Sequence, residues 1–344
     1  MRTETAPVLP VSATPVHGSN RRLVGLILLA VAVVGGLLVL EVAARIVFDR
    51  NGMHYGIEMW KYARELKQQS SNPAMGHEHR PNGRARLMGT DVVINSRGLR
   101  SPEFNVEPTP GVRRLIVLGD SLTFGWGVEE PDTYSRVLER MLNGSGRRYE
   151  VINAGVGNYN TSQEVAWFAE RGLAYKPDEV VLGFYINDAE PTPRRSESWL
   201  AARSYGYVVL ASAWDALQRA MGMKEGFVEY YAQLYRDENP GWQASQKALD
   251  LLIETCRSRG IALRIVLLPE LHHVDDSYPF RFVHERVAAR VTNQGVPVLD
   301  LDGAFKEHQP ESLWVTPGDA HPNALAQRII AQRLFVAMTT NDQD

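Results

Sequence analysis

The sequence predicts an α/β domain built on a five-stranded parallel sheet, preceded by one N-terminal transmembrane helix. Three observations predict it. Short apolar runs of strand length alternate with helical periodicities between residues 114 and 338. Small and chemically active residues cluster at the ends of those runs: Gly119-Asp120-Ser121, Asn153-Ala154-Gly155, Asn187-Asp188 and, before the last helix, Asp319-Ala320-His321. Near the N-terminus, Leu23 to Leu40 contains no charged or strongly polar residue.

The apolar run comes first in the chain. Its eighteen residues would rise about 27 Å as a helix, close to the ~30 Å hydrocarbon core of a bilayer. Signal peptides have shorter apolar cores of ~7–15 residues, although Ala43-Ala44 offers a cleavage site. An uncleaved signal anchor over 23–48, following a disordered tail over 1–22, fits best. Arg21 and Arg22 abut the span and favour an inside N-terminus, while Arg45 and Arg50 dilute the bias. The rest of the chain is then expected outside the cytoplasm, as the exposed part of a single-pass inner-membrane protein.

A polar membrane-proximal segment over 49–110 follows, with a short helix expected at 55–69 and an edge strand at 91–95. Strands are expected at 114–118, 149–153, 179–186, 262–268 and 296–301. Helices are expected at 132–142, 161–174, 242–259, 280–293 and 323–338, with Asn160 or Thr161 as a cap and Gly260 as a C-terminal stop. Strands separated by helices imply parallel pairing and right-handed crossovers. The domain over 111–344 is interrupted at 189–239, too long for an ordinary connection, with an apolar helix expected at 207–221.

Composition narrows the function. Lys and Arg number 37 and Asp and Glu 40, so the net charge is −3; 44% of residues are hydrophobic and 22% charged. This is ordinary globular composition without an electrostatic footprint for nucleic acid, and no nucleic-acid partner is expected. The single cysteine, Cys256, excludes an internal disulfide and a Cys-rich metal site, and reads as a small core residue. His77 and His79, and His272 and His273 beside Asp275 and Asp276, have metal-like spacing but lack a convincing third ligand. No metal or cofactor is expected.

The strand-end residues suggest acyl chemistry. A serine hydroxyl needs a base to take its proton, and an imidazole suits that work near neutrality. His321 is the candidate base for Ser121, and Asp319 the candidate acid that fixes the imidazole tautomer. The backbone N–H groups of Ser121 and Gly155 and the Asn187 amide are candidate oxyanion donors. Each fragment alone has a plainer reading: Gly-Asp-Ser and Asn-Asp are common turn sequences, and His321-Pro322 suits a helix start. The conjunction of four group types at four strand ends favours the catalytic reading.

These fragments resemble the motifs of the SGNH (GDSL) esterase and acyltransferase superfamily. GDSLTFGWGV, Gly119 to Val128, matches the first block and supplies Ser121 as nucleophile; NAGVGNYNT, Asn153 to Thr161, matches the second with Gly155. The third block usually reads Gly-x-Asn-Asp; here Gly183 stands two residues further back from Asn187-Asp188. The fifth usually reads Asp-x-x-His; here Gly318 occupies that place and Asp319 lies two residues before His321, a spacing also found in relatives of alginate O-acetylation. The resemblance implies a flavodoxin-like three-layer fold and a membrane-anchored serine esterase or O-acyltransferase, acting on acyl esters such as acetyl groups of envelope carbohydrate. A non-catalytic subunit of a membrane complex with the same fold is the rival reading. Trp126 and Trp314, near the motif loops, are candidates to line a cleft, and the insertion to form a lid, a membrane-lying helix or a partner surface.

Overall fold

The computed structural model describes residues 18–50, 54–192, 204–221 and 226–340. Helix α1 spans Gly18–Arg50, so residues 18–22, expected in the tail, are helical; 1–17 lie outside the described residues. Within α1, Arg21–Phe48 is long and apolar enough to cross a membrane, and none of its richest window is buried against the rest of the chain. The membrane-proximal segment holds α2 (Tyr55–Glu65) and two antiparallel ribbons: β1 (Lys67–Gln69) with β2 (His77–His79), and β3 (Arg84–Leu87) with β4 (Thr90–Val93). The strand expected at 91–95 therefore pairs in a local hairpin, not at the edge of the main sheet. Gly89, at φ +77°, permits the tight turn that closes the hairpin locally.

The α/β domain follows as β5 (Arg113–Leu118), α3 (Ser121–Phe124), α4 (Tyr134–Gly144), β6 (Tyr149–Asn153), α5 (Thr161–Glu170) and β7 (Glu179–Phe184). Next come α6 (Tyr205–Ala220), α7 (Phe227–Leu234), α8 (Pro240–Arg259), β8 (Ala262–Leu267), α9 (Arg281–Thr292) and β9 (Val298–Asp300). A short hairpin of β10 (Trp314–Thr316) and β11 (Asp319–Pro322) leads to α10 (Ala324–Thr340). Strands β6-β5-β7-β8-β9 form one parallel five-stranded sheet in that order. Asn160 caps α5 in a full capping box with Gln163, and Gly260 ends α8 in the left-handed conformation.

Strand alternation builds two cores. Ile116 and Leu118 of β5 point to the layer of α5, α8 and α9, with Phe168, Leu252 and Val287. Leu115 and Val117 point to the layer of α4 and α10, with Leu138 and Leu334. The strands are apolar on both faces because helices cover both. Cys256 is buried in the first of these layers. A third cluster joins the membrane-proximal segment to the domain: Tyr62, Leu66, Leu87, Met88, Val92 and Ile94 pack on Phe124 and Trp126. Arg100, fully buried, donates to the carbonyls of Phe124, Gly125 and Val128 and so ties that segment to the loop after Ser121.

The end of α1 is also tied in. Ala44 packs with Ile57 and Tyr205, and Glu41 accepts from Ser204 Oγ and the Gly206 N–H. Helix α6 carries Tyr207, Leu210, Trp214 and Leu217 exposed along one side.

Candidate active site

The sheet order places β5 where the chain reverses direction across the sheet, since β6 lies on one side of it and β7 on the other. Ligands of open α/β sheets bind at such a switch point, beyond the carboxyl ends of the strands. Ser121 follows β5 there and Asn187 follows β7.

The turn into Ser121 is forced by local sterics. Gly119 sits at φ +156°, and a Cβ on it would fall 2.0 Å from Thr123 Oγ1. Asp120 caps α3 by accepting from the Leu122 N–H, which starts the helix at the serine itself. The Asp120 carboxyl is fully buried and also accepts from Asn187 Nδ2 at 2.9 Å. Burial pushes its pKa up, although the bonds from Leu122 and Asn187 oppose this. One side chain thus shapes the turn at Ser121 and orients the amide that follows β7.

Ser121 Oγ lies 2.8 Å from His321 Nε2, although the two are 200 residues apart in sequence. His321 Nδ1 lies 2.5 Å from Asp319 Oδ1. Asp319 Oδ1 also accepts from the His321 backbone N–H at 3.1 Å, a tight local turn within the irregular β10–β11 hairpin that brings an Asp two residues before the His onto its ring. The other Asp319 oxygen accepts from the Trp126 indole N–H at 2.8 Å. Burial opposes ionisation of Asp319, but the hydrogen bond and charge of His321 prevail and hold its pKa below the ordinary value. Trp126 is buried and braces the acid; it does not line the cleft. Trp314 meets the His272 ring at a tilt and donates to the Leu271 carbonyl. His321 heads a strand-to-helix junction in a hairpin, where the sequence placed only a helix start.

The candidate oxyanion donors are less uniform. As the first residue of α3, Ser121 has no acceptor for its N–H inside that helix, and Asn187 Nδ2 carries a second hydrogen besides the one given to Asp120. The Gly155 N–H donates to Asn153 Oδ1 at 2.9 Å. Glycine is required at 155 by close approach: a Cβ there would sit 2.2 Å from the Phe124 backbone nitrogen. At Gly183 a Cβ would crowd Tyr134 Oη and Thr123 Oγ1 at 2.9 and 3.0 Å.

One residue of the site had no signal in its sequence context. Tyr55, the first residue of α2, stacks on His321 with ring centroids 5.9 Å apart and planes 27° apart, and meets Trp126 edge-on. An aromatic at the start of a juxtamembrane helix carries no motif; only the packing of α2 brings it here. The histidine pairs serve other ends. His77 bonds the Gly157 carbonyl, His79 bonds Tyr62 Oη and the Gly98 carbonyl, and His272 pairs with Glu270. Among the described residues, no three candidate ligands come together.

The family model for GDSL-like lipases and acylhydrolases matches residues 117–329. The chain belongs to that family. GDSL-type enzymes are ester hydrolases, and the five-stranded α/β fold agrees with it. Similar solved structures include a catalytic mutant of Axe2, an acetylxylan esterase from Geobacillus stearothermophilus, at 16% identity and TM-score 0.45 over 66% of this chain and 94% of that one. LAE5, an α/β hydrolase enzyme from the metagenome of Lake Arreo, is 21% identical with TM-score 0.44, over 66% and 95%. The lipase/acylhydrolase from Enterococcus faecalis is 15% identical with TM-score 0.42, over 67% and 97%. No curated protein matches the chain.

Proposed function

We propose that this GDSL-family protein is a membrane-anchored serine esterase or O-acyltransferase in which Ser121, His321 and Asp319 form the catalytic triad. The observation that carries this reading is the continuous chain Ser121 Oγ, His321 Nε2, His321 Nδ1, Asp319 Oδ1, with links of 2.8 and 2.5 Å. Asp319 accepts a hydrogen bond from Nδ1–H and so holds the tautomer whose Nε2 lone pair faces the serine. As Oγ attacks the acyl carbon, His321 takes the hydroxyl proton. The tetrahedral oxyanion is held by the Ser121 N–H, the second hydrogen of Asn187 Nδ2 and the Gly155 N–H, which shares its bond to Asn153. One such donor is worth ~2.7–4 kcal/mol in the barrier.

Collapse breaks the ester C–O bond, and His321 returns its proton to the leaving alkoxide. Water, or the hydroxyl of an acceptor sugar, then gives its proton to His321 and attacks the acyl-serine; the acyl C–Oγ bond breaks and His321 passes that proton to Oγ, which restores Ser121 and releases the acid or the new ester. The substrate is an acyl ester, with acetylated envelope carbohydrate the favoured class for an enzyme held at a membrane surface.

In this reading residues 23–48 are a signal anchor, Arg21 and Arg22 stay inside, and the domain from 111 onward works outside the cytoplasm. The full chain in detergent micelles should hydrolyse p-nitrophenyl acetate and be labelled by a fluorophosphonate probe. Ser121→Ala should abolish labelling and reduce kcat/KM at least ~10³-fold. Equal labelling of both proteins removes Ser121 from the mechanism. An unlabelled but folded wild type, co-purifying with stoichiometric partners, favours the non-catalytic subunit.

A further inference from the structure

Three elements of the membrane-proximal segment close on one peptide group of the loop after β6. Gly157 stands two residues beyond Gly155, the candidate oxyanion donor of that loop. Its N–H donates to Tyr62 Oη of α2 at 2.8 Å. Its carbonyl accepts from Lys67 Nζ of β1 at 2.7 Å and lies 3.1 Å from His77 Nε2 of β2. Lys67 Nζ also donates to Asn158 Oδ1 at 2.8 Å. Tyr62 stands 95 residues before Gly157 in sequence and His77 stands 80 before it. A Cβ on Gly157 would fall 2.6 Å from the Tyr62 ring, so only glycine lets the two come this close.

The direction of each bond follows from its acceptor. A carbonyl cannot donate, so His77 donates from Nε2 to Gly157, and His79 donates from Nδ1 to the Gly98 carbonyl at 3.2 Å. Burial, and then the charge of Lys67, pushes both imidazoles down to about 3, so each is neutral and carries one N–H. His79 Nε2 therefore presents a lone pair, which accepts from the Tyr62 hydroxyl at 2.6 Å. The tyrosine oxygen is thereby turned to accept from the Gly157 N–H. Burial pushes the Lys67 amine down to about 7, and its charged and neutral forms both keep N–H groups to donate.

The same loop is held on its other side by the turn at Ser121. The Val156 N–H donates to the Gly119 carbonyl at 3.1 Å, and Gly155 lies against the Phe124 backbone. Residues 155–157 thus run between the Ser121 turn and the Tyr62–Lys67–His77 group. Releasing the Gly157 peptide frees the Gly155 N–H to move away from the place where an oxyanion forms, and a displacement of about 1 Å can cost ~10²-fold in rate. We infer that Tyr62, Lys67 and His77, with His79 behind Tyr62, are positioning residues of the oxyanion hole that act on Gly155 through the Gly157 peptide. The histidine pair with metal-like spacing belongs to this clamp. The inference rests on the esterase reading with Gly155 as a donor, and deepens it by giving the membrane-proximal segment a part in the reaction.

Tyr62→Phe in the full chain, in detergent, tests it, because one hydroxyl is lost while the ring stays on Phe124 and Trp126. For p-nitrophenyl acetate kcat should fall about tenfold or more, with KM unchanged within about twofold. An alkyl trifluoromethyl ketone reports on the oxyanion directly: Ser121 Oγ adds to its carbonyl carbon, His321 takes the hydroxyl proton, and the carbonyl oxygen becomes the anion. Its inhibition constant should weaken by the same factor as kcat/KM. His77→Leu should lower kcat in the same way, and His77→Gln, whose amide can donate from near the place of Nε2, should restore most of it. A folded Tyr62→Phe protein with wild-type kcat, or with raised KM alone, overturns the inference; so do His77→Leu and His77→Gln proteins of equal activity. In both cases a wild type that hydrolyses the ester leaves the esterase reading standing. A folded wild type that neither hydrolyses the ester nor takes up a fluorophosphonate probe sinks the esterase reading, and the clamp's part in catalysis with it.

Discussion

At Glu164 the protein buries a carboxyl with neither oxygen bonded to a described group, and Asp188 beside it leaves one oxygen unpaired. Burial first, and the charges of Asp188 and Asp120 second, hold Glu164 well above its ordinary pKa of 4.5. The folded state therefore keeps a proton that the unfolded chain releases. Its contribution to stability is intact below pH 4.5 and shrinks as pH rises toward the folded value, by about 1.4 kcal/mol per unit. Glu164→Gln removes that dependence at constant shape. Urea unfolding should show the variant's advantage over wild type growing from pH 5 to pH 8; a constant difference would mean that Glu164 ionises freely in the fold. Asp120 illustrates a dual role that its sequence context half reveals: the helix cap is legible as Asp before a short turn, the grip on Asn187 is not.

Strand β11 decides how Asp319 reaches His321. The motif has Gly318 where an acid is usual, and a local turn, in which Asp319 Oδ1 accepts from the His321 backbone N–H and faces Nδ1, brings the carboxylate to the ring instead. Transferring the acid, by Gly318→Asp with Asp319→Ala, removes that turn. Open space surrounds Gly318, so the change introduces no clash. Esterase activity should fall by ~10⁴-fold, as for loss of a triad acid, with little change in melting temperature. Substantial residual activity in the transferred form would mean that Asp319 does not orient the base. Helices were legible to within a few residues because their apolar periodicity is strong, whereas α7 escaped: eight residues inside a long insertion give too few turns for a periodic signal.

On the scale of the whole molecule, packing links the end of α1 to the Ser121–His321 pair. Phe48 meets His54, Ala44 packs on Ile57, and the helix so held presents Tyr55 to His321. Deleting residues 1–50 removes the support of α2 and of α6. The truncated protein should melt at a lower temperature than the full chain and show a raised KM for carbohydrate esters. Identical values for the two proteins would make the anchor a tether and nothing more. In spheroplasts, added protease should digest a tag fused after residue 344 and spare one fused before residue 1; the opposite pattern inverts the orientation read from Arg21 and Arg22.

The sequence alone determined the alternation that makes a parallel sheet, the apolar helix ahead of it, and the identities of Ser121, Asn187, Asp319 and His321, because periodicity and short motifs are local properties of the chain. Tertiary structure alone decided which residues surround them. The Tyr55 stack, the Trp126 bond to Asp319, the Arg100 clamp on the loop after Ser121 and the Tyr231 bond to Glu190 each join segments that lie far apart in the chain or leave no periodic trace. Such contacts follow from how layers pack, and packing is a property of the whole fold.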